Sequence, residues 1–119
     1  MARRSLRRLL PEHPFHLGLA PPGRPGSPEE LFAEPDGGHH WFGVADAGRV
    51  GCLLREYRAE IVTAAVTGVP IVLALQTAED ALEAEEWLAA VRPDWTLRRS
   101  VELLDDLEAR GRFPVLEAA

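Results

Sequence analysis

Three short polar stretches stand where a strand would hand over to a helix: Asp46-Ala47-Gly48-Arg49, Gln76-Thr77 and Arg98-Arg99-Ser100. In an open parallel sheet, ligands bind beyond the carboxyl ends of the strands, where helix N-termini present unpaired backbone N–H groups. The guanidinium groups of Arg49, Arg98 and Arg99, the Gln76 amide, the Thr77 and Ser100 hydroxyls and a turn at Gly48 together suit an anion such as a phosphate or carboxylate. The plainer reading is that Thr77 and Ser100 only cap helices and the arginines are solvated, because any protein of this class needs caps.

Other chemistry is harder to assemble. The segment from Gly43 to Val50 has the glycine spacing of a phosphate loop, but Arg49 and Val50 stand where lysine and a hydroxyl residue belong. Asp46 replaces the first glycine of a dinucleotide fingerprint, so the segment reads as a tight strand-to-helix turn. The chain has no lysine, which removes phosphate-loop, Schiff-base and carboxylate–lysine mechanisms. Cys52 has no base near it in sequence and reads as a packed residue.

His13, His16, His39 and His40 could meet around a metal if two strands were neighbours. Pro14 interrupts the first pair, however, and adjacent strand residues face opposite ways, so surface histidines are expected. The carboxylate pairs Glu29-Glu30, Glu85-Glu86 and Asp105-Asp106, with Glu102 four residues before Asp106, read as solvated acidic faces. No catalytic residue, metal ligand or cofactor is assigned.

The elements that would position these groups follow from periodicity. Phe15, Leu17 and Leu19 alternate in a short strand that ends at Ala20. A proline-rich loop leads to Ser27-Pro28-Glu29-Glu30, a capping box with proline at the first helical position, and a short helix from Pro28 to about Glu34. After the turn Asp36-Gly37-Gly38, His39 to Ala45 reads as the second strand. Apolar residues at helical spacing run from about Gly48 to Thr67, with Gly68 as the stop. In that helix Val50, Leu54, Tyr57, Ile61 and Ala65 form the stripe facing the sheet, and Val62 and Val66 fall outside it.

Val69 to Leu75 is apolar on both faces, as in a central strand. Thr77 with Asp80 opens a helix running to about Arg92, and Trp95 to Arg98 alternates as a fourth strand. Ser100 caps a helix that Gly111 ends, and Phe113 to Leu116 reads as a last edge strand. The expected fold is a small single-domain α/β sandwich: a largely parallel or mixed sheet of four or five strands with three or four helices.

One domain accounts for 119 residues, of which 46% are hydrophobic. Charge is uneven. Residues 1 to 24 hold five arginines and one glutamate, a net of +4, and residues 25 to 119 hold eight arginines and eighteen acids, a net of -10. Residues 1 to 14 therefore read as a basic appendage on a domain spanning 15 to 119, with the first ten residues dispensable for folding. Nucleic acid could be reached only through Arg3, Arg4, Arg7 and Arg8 of that appendage, since the body is acidic.

A single cysteine allows no internal disulfide, and the N-terminus runs into Pro11 and Pro14 where a signal peptide would be apolar. No membrane span is expected, and a cytoplasmic location is. The functional expectation is a non-catalytic binding or protein-interaction module that forms a homodimer, with Val62 and Val66 at the interface. The alternative is a small enzyme or sensor taking an anionic metabolite at the strand ends.

Overall fold

The computed structural model describes residue 6 and residues 10–23, 27–33 and 40–111. Its elements run β1 (Phe15–Ala20), α1 (Pro28–Phe32), β2 (Trp41–Ala45), α2 (Val50–Glu56), α3 (Arg58–Val66), β3 (Ile71–Leu75), α4 (Ala78–Val91), β4 (Thr96–Arg99) and α5 (Val101–Ala109). The strands form one four-stranded mixed sheet in the order β2-β3-β1-β4. β2 and β3 are parallel, whereas β1 runs antiparallel to both its neighbours, pairing Leu17 with Leu73 on one side and with Arg99 on the other. The chain is an α/β fold, as expected, with β1 inserted between β3 and β4.

That insertion follows from the residues of β1. Leu17 and Leu19 point into the main core and His16, Gly18 and Ala20 point to the other face, and all five are buried. A strand covered on both faces belongs inside a sheet. β3 (Ile71-Val72-Leu73-Ala74-Leu75) is buried at every position for the same reason.

The main core lies between the sheet and helices α2 to α5. Val50, Leu54, Ile61 and Ala65 of the expected stripe are buried there and Tyr57 is partly so. Val66, outside the stripe, is 72% exposed. The opposite face carries a smaller cluster in which Leu6, Ala20, Leu31 and Val72 are buried beneath Phe32 and Phe42. Leu6 is fully buried, so the basic N-terminal segment supplies one apolar contact to the sheet.

Two boundaries differ from the periodicity. The long helix divides at Tyr57, whose backbone (φ -106°, ψ 21°) closes α2 and opens α3. Apolar spacing continues through the break because Leu54 and Ile61 stay buried on either side, while the Tyr57 ring packs on Trp41 with centroids 5.8 Å apart. This division and the short α1 bring the described helices to five. The expected strand over Phe113 to Leu116, the turn Asp36-Gly37-Gly38, His39 and the arginines Arg3, Arg4, Arg7 and Arg8 lie outside the described residues.

The ends of α3 and α4 are tied by Arg92, which donates from Nη1 to the Ala65 carbonyl at 2.5 Å and lies 4.4 Å over the Trp95 ring. Among the described residues no helix is long and apolar enough to cross a membrane. Leu6→Ala should destabilise the fold by about 2–5 kcal/mol in equilibrium urea unfolding, the usual cost of truncating a buried leucine. Deleting residues 1 to 10 should cost at least as much, yet leave a chain that still folds around the main core.

Candidate functional site

Because β2, β3 and β4 point the same way and β1 the other, their carboxyl ends and the start of β1 share one edge of the domain. The turn after β2 is closed by a hydrogen bond from Arg49 N–H to the Asp46 carbonyl (2.9 Å). Gly48 there takes φ +77°, a left-handed conformation that glycine adopts without a steric penalty. Two backbone N–H groups point out of this turn and both are taken. Ala47 N–H donates to Gln76 Oε1 at 2.7 Å, and Gly48 N–H donates to Asp80 Oδ2 at 2.9 Å.

Asp80 is buried and belongs to the first turn of α4. Its own N–H donates to the Thr77 hydroxyl, which caps that helix. The Gln76 amide also donates to the Glu12 carbonyl at 3.2 Å. Gly48, Gln76 and Thr77 are thus brought together, and the anionic group seated among them is the Asp80 carboxylate.

The remaining residues of the expected site go elsewhere. Ser100 is buried, caps α5 and locks β4 to β1: its Oγ accepts from His16 N–H (3.0 Å) and its N–H donates to the His16 carbonyl (3.0 Å). Arg99 turns toward α4 and donates to both carboxylate oxygens of Glu85, at 2.5 and 2.8 Å. Those hydrogen bonds hold its guanidinium protonated against partial desolvation.

Arg98 alternates with Leu97 and Arg99, so it projects from the opposite face of β4. Arg49 is exposed beside β2, at the other edge of the sheet. Three strand spacings, about 14 Å, separate these two edge strands. Arg49 and Arg98 do not converge.

Two histidines expected at the surface are buried instead. His13 donates from Nε2 to Asp46 Oδ1 at 2.7 Å and is 9% exposed. His16, fully buried in β1, faces an oxygen acceptor with each ring nitrogen: Nε2 meets the His13 carbonyl at 2.9 Å and Nδ1 meets Glu29 of α1. Sequence reasoning placed Glu29 only in a solvated acidic pair and Asp80 only in a cap. Their partners lie 13 and 32 positions away, and the local pattern carries no signal for either.

Cys52 is exposed, with the Arg55 guanidinium 3.6 Å from its sulfur, and is not the packed residue expected. It sits in an open hollow between β2 and α2, lined also by Val44, Asp46, Arg49, Glu56 and Tyr57. The class these features define is a small α/β domain with a central antiparallel strand and strand-end junctions closed by its own side chains. No family model, curated protein or solved structure matches the chain.

Burial pushes the Glu29 carboxyl up, but its hydrogen bond to His16, one from its own backbone and the charge of His16 bring it below the ordinary value of 4.5. A depressed carboxyl contributes stability that is complete above its unfolded value and lost as pH falls through its folded one. The unfolding free energy should therefore decline as pH drops below about 4.5. In Glu29→Gln this part of the acid limb should be absent, as followed by urea unfolding at successive pH values.

Proposed function

We propose that this chain is a non-catalytic protein-interaction module, working as a two-fold dimer in the reducing cytoplasm. One observation carries the reading: four backbone donors at the strand ends, where an α/β domain of this kind would receive a small anionic ligand, are engaged by the chain's own acceptors. Gly48 N–H is held by Asp80, Ala47 N–H by Gln76, and one first-turn N–H each of α4 (Asp80) and α5 (Leu103) by the Thr77 and Ser100 hydroxyls. A phosphate or carboxylate entering there must displace a buried carboxylate, and the arginines expected to assist it stand at opposite edges of the sheet.

Apolar side chains left at the surface favour a protein partner. Val66 on α3 is 72% exposed and Val101 on α5 is 63% exposed. The single cysteine, exposed on α2, suits a compartment that keeps thiols reduced.

Thermal unfolding in the presence of inorganic phosphate, adenine nucleotides, sugar phosphates and dicarboxylates tests this reading against the anion-binding enzyme or sensor. A ligand at 100 times its Kd adds about 2.7 kcal/mol to the stability of the native state. The midpoint should stay unchanged with each compound. A rise with any of them would assign the strand ends to that anion and overturn the interaction module.

A further inference from the structure

The two edges of the sheet are guarded differently. Edge strands of soluble proteins are protected from pairing with other chains by charges, proline, bulges or extreme shortness. β4 has four residues, and two of them are Arg98 and Arg99. β2, at the other edge, reads Trp41-Phe42-Gly43-Val44-Ala45 and carries neither a charge nor a proline. Among the described residues no strand pairs with its outer side.

The parity of that outer edge is set by the inner one. Trp41 N–H donates to the Pro70 carbonyl at 2.7 Å, so in the parallel ladder with β3 it is Trp41, Gly43 and Ala45 that turn their backbone groups inward. Phe42 and Val44 turn theirs outward. We propose that a second copy of this chain adds to this edge, antiparallel, about a two-fold axis at Gly43. Phe42 then exchanges backbone hydrogen bonds with the partner's Val44, and Val44 with the partner's Phe42, joining two four-stranded sheets into one of eight. The inference rests on the interaction-module reading and names its partner and its surface.

Three features of the edge argue for a second copy. In this register outward-facing residues meet outward-facing residues, the condition for a doubly hydrogen-bonded antiparallel pair. Sizes also match about the axis: Trp41 lies opposite the partner's Ala45, Phe42 opposite the partner's Val44, and Gly43 opposite the partner's Gly43. Charge completes the match, through residues of the hollow beside β2.

The hollow beside β2 carries a positive and a negative side chain. Arg49 lies at its Asp46 end and Glu56 at its Tyr57 end, so a two-fold axis brings each toward the opposite charge on the partner. The Trp41 ring leaves the edge open. It folds back along its own strand over Gly43, where a Cβ would lie 2.7 Å from it, and its indole N–H donates to Glu60 at 3.3 Å. By contrast, Val66 and Val101 stand on separate helices, α3 and α5, and supply no continuous row of backbone groups for a partner to pair with.

Light scattering on the wild type, Val44→Pro and Val66→Glu tests the inference. Proline at 44 removes an N–H that serves only the outer edge, leaving the ladder to β3 intact. The wild type should have twice the mass of 13.1 kDa, Val44→Pro a single mass and Val66→Glu a double one. A dimer that survives Val44→Pro but not Val66→Glu overturns the edge and leaves the interaction module standing, with α3 as its surface. A dimer that survives both overturns the edge as well. A wild type that is monomeric from micromolar to millimolar concentration overturns this inference and the dimer together.

Should Val44→Pro fail to fold, hydrogen exchange in the wild type decides. The amides of Phe42 and Val44 should exchange about tenfold or more slowly at high concentration than at high dilution. Equal exchange without protection overturns the pairing. Protection independent of concentration means that another part of the same chain covers the edge, and also overturns it.

Discussion

β1 takes hydrogen bonds from β3 along one side and from β4 along the other, and both of its faces are buried. Remove it and the sheet falls into a parallel pair and an orphan, because among the described residues β4 pairs with no other strand. Its alternation also sets the two cores. Leu17 and Leu19 lie under α4 and α5, while Gly18 and Ala20 receive α1 and Leu6 on the other side. Where the helices sit depends on this one strand being central and antiparallel.

The polar groups at the top of β1 fix its direction and register. His16 bonds through its backbone to Ser100 and through its ring to the His13 carbonyl and Glu29, joining β1 to α5 and α1. Buried polar groups left unpaired cost more than they return when paired. Sliding β1 by one residue would put the imidazole among the leucines of the main core and break all of these bonds together. The neighbouring turn shows the same economy of partners: Gln76 and Asp80 satisfy the two N–H groups that Gly48 and Ala47 expose. A domain whose strand ends are closed in this way presents edges and helix faces to the outside.

Local signals were legible along the chain. The capping box at Ser27 and Glu30, the caps at Thr77 and Ser100, the stop at Gly68 and the buried stripe through Leu54 and Ile61 could each be read from residues a few positions apart. Pairing over long separations was not legible. Alternation of strands and helices after residue 39 favours a parallel sheet but says nothing of where an earlier strand enters it, and β1 entered between two strands that follow it by more than fifty residues. The candidate site gathers only in part: Gly48, Gln76 and Thr77 meet, and the arginines do not. Arg98 and Arg49 look alike in sequence as strand-end arginines, yet Arg98 lies on one edge strand and Arg49 follows the other. His16 looked like a surface histidine because the carboxylate that receives it comes from another element.

The central place of β1 also has a bearing on synthesis. Chains leave the ribosome from the N-terminus, so β1 emerges before every strand it must pair with. Its partners, residues 71–75 and 96–99, arrive only when most of the domain has been made. Until then Phe15, Leu17 and Leu19 travel as an unpaired apolar strand. β2 and β3 can join through a local crossover, but the sheet as a whole must wait for a late, long-range closure around the strand that precedes its partners.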